Sequence, residues 1–170
     1  MRVLIAAASK HQATTEIAAA IGRELSQAGI EVEVTTPGRV ESVEGYDAVI
    51  LGSAVYMGRW QPSAVTFAER HAEALRQRPV WLFSSGPIGS PQAKPEGEPL
   101  EIGELVRQIG AREHRIFAGR LDPRRLGFGE KAVVAAVGIA HGDFRDWDEI
   151  GAWARQIADH LAQRRVAEVR

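Results

Sequence analysis

The chain has no cysteine. Disulfides, thiolate nucleophiles and cysteine-bound metal sites are therefore excluded, while the redox compartment stays open. Charge of one sign is also lacking: 21 lysines and arginines face 22 aspartates and glutamates, a formal net charge of −1. That balance gives no whole-domain electrostatic case for nucleic acid. The longest small-apolar run, residues 132–140, is too short to cross a bilayer and is interrupted by Gly138. No basic segment followed by an apolar run stands at the start, so no signal peptide is expected. The sequence reads as a cytoplasmic protein without an integral membrane segment. Asp143, Asp146 and Asp148 have no histidine or glutamate at ligand spacing, so they read as loop and cap residues and no metal site is expected. What remains is ordinary for a globular chain: 170 residues, 45% hydrophobic and 25% charged. One domain over residues 1–170 is expected, without internal repeats and with fraying from about residue 164.

Short apolar runs alternate with helical patterns. Arg2-Val3-Leu4-Ile5-Ala6-Ala7 reads as a buried strand, and a helix from about Thr14 places Ile17, Ile21, Leu25 and Ala28 on one stripe before Gly29. Glu31-Val32-Glu33-Val34 alternates with period two, as a half-exposed edge strand does. Ala48-Val49-Ile50-Leu51 and Val80-Trp81-Leu82-Phe83 are continuous and suit central parallel strands. Pro62 opens a helix carrying Val65, Ala68, Ala72 and Leu75, and residues 86–99 form a long Pro/Gly-rich loop. A short helix over residues 102–109 precedes a fifth strand, His114-Arg115-Ile116-Phe117-Ala118. An irregular segment surrounds residues 124–129. Leu126, Phe128 and the run 132–137 then read as a buried helix and its anchor. The last helix starts near Asp146, with Glu149 as capping-box partner, and buries Ile150, Trp153, Ala154, Ile157 and Leu161. Five strands separated by helices predict an α/β, doubly wound, five-stranded parallel sheet of order 2-1-3-4-5 with helices on both faces.

That order opens a crevice at the carboxyl ends of strands one and three. The loop after strand one aims helix N–H groups, with hydroxyls from Ser9, Thr14 and Thr15, at one anion site there. The plainer alternative is a strand-to-helix turn with Thr14 as N-cap. The loop has no glycine, which excludes the Gly-x-Gly-x-x-Gly dinucleotide fingerprint, and Lys10-His11 is not the Gly-Lys-Ser/Thr of a P-loop. A phospho-receiver site needs an acidic cluster where Ala6-Ala7-Ala8 stands and an aspartate where Gly52-Ser53 stands. Gly52-Ser53-Ala54 is no nucleophile elbow either.

Three loops carry a resemblance. Ala8-Ser9-Lys10-His11-Gln12-Ala13-Thr14-Thr15-Glu16-Ile17-Ala18 resembles the phosphate loop of flavodoxins, in the Ser-Lys-x-Gly-x-Thr-x-Glu-Ile-Ala form of the flavodoxin-domain proteins related to menaquinone-linked protoporphyrinogen dehydrogenase. Gly52-Ser53-Ala54-Val55-Tyr56-Met57-Gly58-Arg59-Trp60 resembles that family's second flavin loop, and Leu82-Phe83-Ser84-Ser85-Gly86-Pro87-Ile88-Gly89 the third. Ala118-Gly119-Arg120-Leu121 and the segment from Asp146 to Ala154 resemble its closing part, so the likeness runs from residue 3 to about 161. Gln12 stands where the family usually has glycine, and a positive φ there would cost it about 1 kcal/mol.

The resemblance implies flavin mononucleotide (FMN) as cofactor. The implied contacts are Ser9, Lys10, His11, Gln12, Ala13 and Thr14 in the first loop, Ser53, Ala54, Val55, Tyr56, Met57 and Gly58 in the second, and Ser85, Gly86, Pro87, Ile88 and Gly89 in the third. The third loop lacks the tyrosine that ordinary flavodoxins stack on the ring, so Tyr56, Met57 or Trp60 is the candidate ring contact. Flavin would carry the chemistry, with no protein nucleophile or acid–base pair. The implied activity is oxidation of a protoporphyrinogen-like tetrapyrrole with a quinone acceptor, with Arg59, Arg120, Arg124 and Arg125 as candidate carboxylate receivers. No Asp or Glu lies between Ser53 and Trp60, and Lys10, His11 and Arg59 are close in sequence. That favours a two-electron oxidoreductase over a low-potential shuttle. An electron-transfer flavodoxin serving a partner reductase, and a module that has lost flavin, stay open, as does a homodimer.

Overall fold

The structure, a computed structural model, describes residues 1–86, 99–137 and 142–168. The main path of its sheet runs through β1 (Arg2–Ala8), β2 (Glu31–Thr35), β3 (Ala48–Tyr56), β4 (Val80–Ser85) and β5 (Glu113–Phe117). These five are parallel, in the order β2-β1-β3-β4-β5, as the alternation of patterns predicts, and the short strand Arg59–Trp60 adds antiparallel to the end of β3. Between and after the strands run α1 (Ala13–Gln27), α2 (Pro62–Arg70), α3 (Ala72–Arg76), α4 (Ile102–Ile109), α5 (Phe128–Val137) and α6 (Trp147–Glu168).

The period-two alternation of β1 feeds two cores. Val3, Ile5 and Ala7 pack with Ile17, Ile21 and Leu25 of α1 and with Ile150, Trp153, Ile157 and Leu161 of α6. Leu4, Ala6 and Ala8 face the other side, with Phe67 of α2, Leu75 of α3 and Ile102, Leu105 and Ile109 of α4. Burying each large aliphatic side chain contributes about 1.5–3 kcal/mol, which is why the central strands, past Arg2 at the start of β1, carry no polar residue until their carboxyl ends. Edge strand β2 keeps Glu31 and Glu33 outside, where Arg2 pairs with both.

Several expectations need correction. The helix from Pro62 is two helices broken at His71, where Arg70 donates to the carbonyls of Val40 (2.8 Å) and Glu41 (3.2 Å). The break turns Leu75 into the core and leaves Val65 and Ala72 only partly buried. Ala28 is exposed, because α1 ends at Gln27 and Ala28 is its C-cap. The last helix runs from Trp147 to Glu168. Glu149 donates its N–H to Asp146 Oδ1 (2.9 Å), the N-cap bond the sequence predicts.

The largest correction concerns α5. The run 132–137 is helical, yet the helix lies off the sheet. Among the described buried residues Val134 packs with Leu121 and Leu126 alone, and Phe128 is 94% exposed. An apolar run looks the same in sequence whether it faces its own core or solvent. The irregular segment before it holds a 3₁₀ turn (Pro123–Arg125), and a two-residue ribbon pairs Arg120–Leu121 with Gly142–Asp143.

Candidate functional site

In register, Ala8 faces Ser53, Ser53 faces Ser84 and Ser85 faces Phe117, so the loops that follow open on one edge of the sheet. The crevice between β1 and β3 is the point where strand order reverses.

The first loop enters α1 through Gln12, which sits in the left-handed region (φ 67°) and makes no side-chain cap to the helix. The first-turn N–H groups of Ala13, Thr14 and Thr15 thus have no intrahelical acceptor. Beside them, Ser9 Oγ and Thr14 Oγ1 are buried without a hydrogen-bond partner, and Thr14 is 1% exposed. Leaving a buried hydroxyl unpaired costs about 1–3 kcal/mol. Two of them beside a 15-residue helix's N-terminus fit a phosphate. Thr14 is the second helical residue, so the simple N-cap alternative does not hold.

Gln12 side-chain Oε1 accepts from Arg125 (2.6 Å). Its positive φ belongs to the folded chain itself, so the strain weighs on folding. Gln12→Gly is expected to raise stability by up to about 1 kcal/mol, less what the Arg125 bond contributes. Urea unfolding measures it; an unchanged or lower midpoint means that the Arg125 bond outweighs the strain.

The second loop is a two-residue hairpin turn. Met57 (φ 51°) and Gly58 (φ 74°) reverse the chain so that Val55 pairs with Trp60 and Tyr56 with Arg59. Met57 projects at 87% exposure and Tyr56 is half-open. Ser53 is fully buried, and its Oγ accepts from the Gln61 N–H (2.8 Å), so it pins the hairpin's base. Trp60 is no ring contact: it is 3% exposed and donates to Ser84 Oγ (2.7 Å), which lies 2.8 Å from His114 Nε2. In the third loop, Ser85 is buried and Gly86 donates to Phe117 O (3.1 Å). A Cβ on Gly119 would stand 3.1 Å from Gly86 Cα, so these backbones meet closely at the crevice wall. Pro87, Ile88 and Gly89 lie outside the described residues.

Charge around the crevice differs from what local sequence suggests. Glu130, from α5, bonds Lys10, lies 3.3 Å from His11 Nε2 and accepts from the Gly127 N–H at 2.8 Å. The Lys10 bond holds its carboxyl down at about 2 and raises the Lys10 amine. Lys10 also lies over the Tyr56 ring, 3.9 Å from its centroid. Arg59 pairs with Glu101 at 2.8 Å. Two of the cations that favour a reduced flavin anion are therefore offset by distant carboxylates, and that part of the charge argument loses its force.

The other arginines divide. Arg120 is forked onto Glu16 at 3.0 and 3.1 Å. Arg125 holds Gln12. Arg124 contributes only its backbone N–H, to Asp122 (3.0 Å), and its guanidinium has no ion pair among the described residues. Sequence reasoning passed over Arg145, whose side chain is 3% exposed. It bonds Asp143 (2.5 and 2.8 Å) and Glu16 (2.7 Å) and covers the Trp147 ring. The Arg145 bond holds Asp143 below the usual carboxylate range; for Glu16, burial pushes the carboxyl up and Arg145 with Arg120 more than reverses it. Only the position of Glu16 within the first-loop motif hinted at this knot, which ties the ribbon to α1.

Fold and crevice define a doubly wound α/β protein with an open crevice at its switch point. Residues 4–148 match the flavodoxin domain. The chain belongs to the flavodoxin-domain family, FMN-linked proteins of oxidoreduction and electron transfer. It is 24% identical, over 96% of its length and 98% of the relative's, to protoporphyrinogen IX dehydrogenase [quinone] of Escherichia coli strain K12. Its fold is similar to the oxidised flavodoxin 2 of Bacillus cereus (TM-score 0.65, 21% identity, 94% of this chain and 99% of that one). It is likewise similar to a flavodoxin from the domain Archaea (TM-score 0.62, 16% identity, 95% and 99%). Among the described residues no helix is long and apolar enough to cross a membrane, and no cluster of ligating side chains could hold a metal.

Proposed function

We propose that the FMN phosphate binds at residues 9–14 and that the loaded protein oxidises a carboxylated tetrapyrrole of the protoporphyrinogen kind, passing electrons to a quinone. The observation that carries the cofactor site is the pair of buried, unpartnered hydroxyls, Ser9 Oγ and Thr14 Oγ1, beside the free N–H groups of α1. Bound FMN supplies the redox chemistry. The chain's own residues bind and orient it: Ser9, Thr14 and the α1 amides take the phosphate, Tyr56 and Met57 border the ring, and Gly86 with Gly119 form the close wall. The substrate class rests on the relationship to the E. coli dehydrogenase across nearly the whole chain. The exposed apolar side chains of Tyr56, Met57 and Phe128, with the guanidinium of Arg124 making no ion pair among the described residues, suit a flat ring system with carboxylates at its edge.

Calorimetry tests the cofactor site. Thr14→Ala should weaken FMN binding by about 1–2 kcal/mol, one hydrogen bond to a charged group. No FMN uptake by the wild type refutes the reading. For the substrate, Arg125 is committed to Gln12, so Arg124→Ala is the cleaner change. It should raise the KM for the tetrapyrrole by about threefold, the worth of an exposed ion pair, with kcat and FMN affinity unchanged. No protoporphyrinogen turnover above that of free FMN, with quinone present, sinks the substrate class.

A further inference from the structure

Among the described residues, the ion pairs that α5 makes with the rest of the chain fall on one target. Glu130 holds Lys10 and His11, and Arg125, just before the helix, holds Gln12 Oε1 (2.6 Å) and His11 O (3.4 Å). Three successive residues of the cofactor loop are thus fastened from a segment more than a hundred positions away. Lys10 carries the fastening on to the Tyr56 ring, so a strap of Glu130, Lys10 and Tyr56 crosses from α5 over the first loop to the second. The apolar anchorage of α5 is slight by comparison: Val134 against Leu121 and Leu126, with Phe128 almost wholly in solvent. A segment with little buried apolar contact opens at low cost.

Glu130 is fully ionised near neutral pH. It takes Lys10, the cation that a phosphate dianion at residues 9–14 draws upon, and two anions sharing it repel each other. We propose that Glu130 is a resident counter-anion of the cofactor loop, and that FMN loads by exchange: its phosphate takes Lys10 and His11, Glu130 releases them, and α5 swings away from the mouth of the crevice. The inference rests on the phosphate reading above and adds to it a device that weakens affinity and couples loading to the position of α5.

Flavin fluorescence titrations of flavin-free protein test it, with wild type, Glu130→Gln and, as control on the same helix, Lys131→Gln. Glutamine keeps an acceptor for the Gly127 N–H but drops the charge. Glu130→Gln should bind FMN about tenfold more tightly, one charge-assisted interaction no longer to be displaced. Riboflavin, which lacks the phosphate, should change by less than about twofold, and Lys131→Gln should move neither. Equal or weaker FMN binding by Glu130→Gln overturns the proposal, since Glu130 then orients Lys10 for the phosphate. An equal gain with riboflavin overturns it too. Binding by Glu130→Gln alone supports it, whereas absence of binding by both proteins removes the phosphate reading and this inference together. Should Glu130→Gln fail to fold, amide exchange in the wild type decides: faster exchange over residues 128–137 on adding FMN supports the exchange, and slower or unchanged protection overturns it.

Discussion

Replacing Arg145 by methionine lowers the free energy of unfolding by about 3 kcal/mol near neutral pH. Removing one member of a buried ion pair costs about 3–5 kcal/mol when its partner stays buried. Glu16 and Asp143 are more than a third exposed, so they rehydrate and the loss falls at the low end. Methionine keeps the apolar stem over Trp147, so the change reports the guanidinium. Both carboxyls are held below their ordinary range, so their stabilisation is present above about pH 4 and fades as pH falls through the depressed values. The difference between wild type and Arg145→Met should therefore shrink in acid. Urea unfolding at pH 7 and near pH 3 measures both; an equal loss at the two pH values would show that Arg145 contributes packing alone. Lysine at this position should recover only part of the loss, since it cannot fork onto two carboxylates.

Gly52→Ala is expected to cost about 3 kcal/mol, the upper part of the range for overpacking a filled core. A Cβ there would stand 2.1, 2.2 and 2.6 Å from three atoms of the Phe83 ring. That ring is fully buried between Phe117 and Trp153, with centroids 6.1 and 6.2 Å away, so it has nowhere to retreat. Phe83→Leu in the same chain should return part of the stability, giving a favourable coupling in a double-mutant cycle. Additive losses would mean that Phe83 yields and the damage lies in the backbone of β3. Because Gly52 precedes Ser53, which pins the hairpin, Gly52→Ala should also weaken FMN binding.

The elements that sequence placed well are those whose signal is local. β1, β3 and β4 are continuous apolar runs with both faces covered, and the helices α1 and α6 show one apolar stripe each. The breaks after β1, β3 and β4 were also legible, because each follows an apolar run and the loops open on one edge of the sheet. The misses at the site are non-local. Trp60 looked like a ring contact because it ends a crevice loop, but its indole N–H finds Ser84 on the neighbouring strand. Phe128 looked like an anchor because apolar character carries no address. Glu130 and Glu101 lie 119 and 42 positions from His11 and Arg59, so local spacing could not show that they offset Lys10 and Arg59 and reach His11. Gln12 alone was a readable warning: a non-glycine at a glycine position pointed to the left-handed conformation that the structure shows.

The strand order has a kinetic consequence. β1 comes first, yet its two neighbours pair with it across 29 and 45 positions, Arg2 against Glu31 and Val3 against Ala48. Loop closure over such distances precedes any gain from pairing, so the sheet's centre forms late relative to the helices. The crevice needs β1, β3 and β4 together, with the ribbon and α5 from still further along the chain. A nucleotide that fits only the finished crevice has little to hold in the folding transition state. FMN should accordingly act on the rate at which this chain unfolds and leave the rate at which it folds almost untouched.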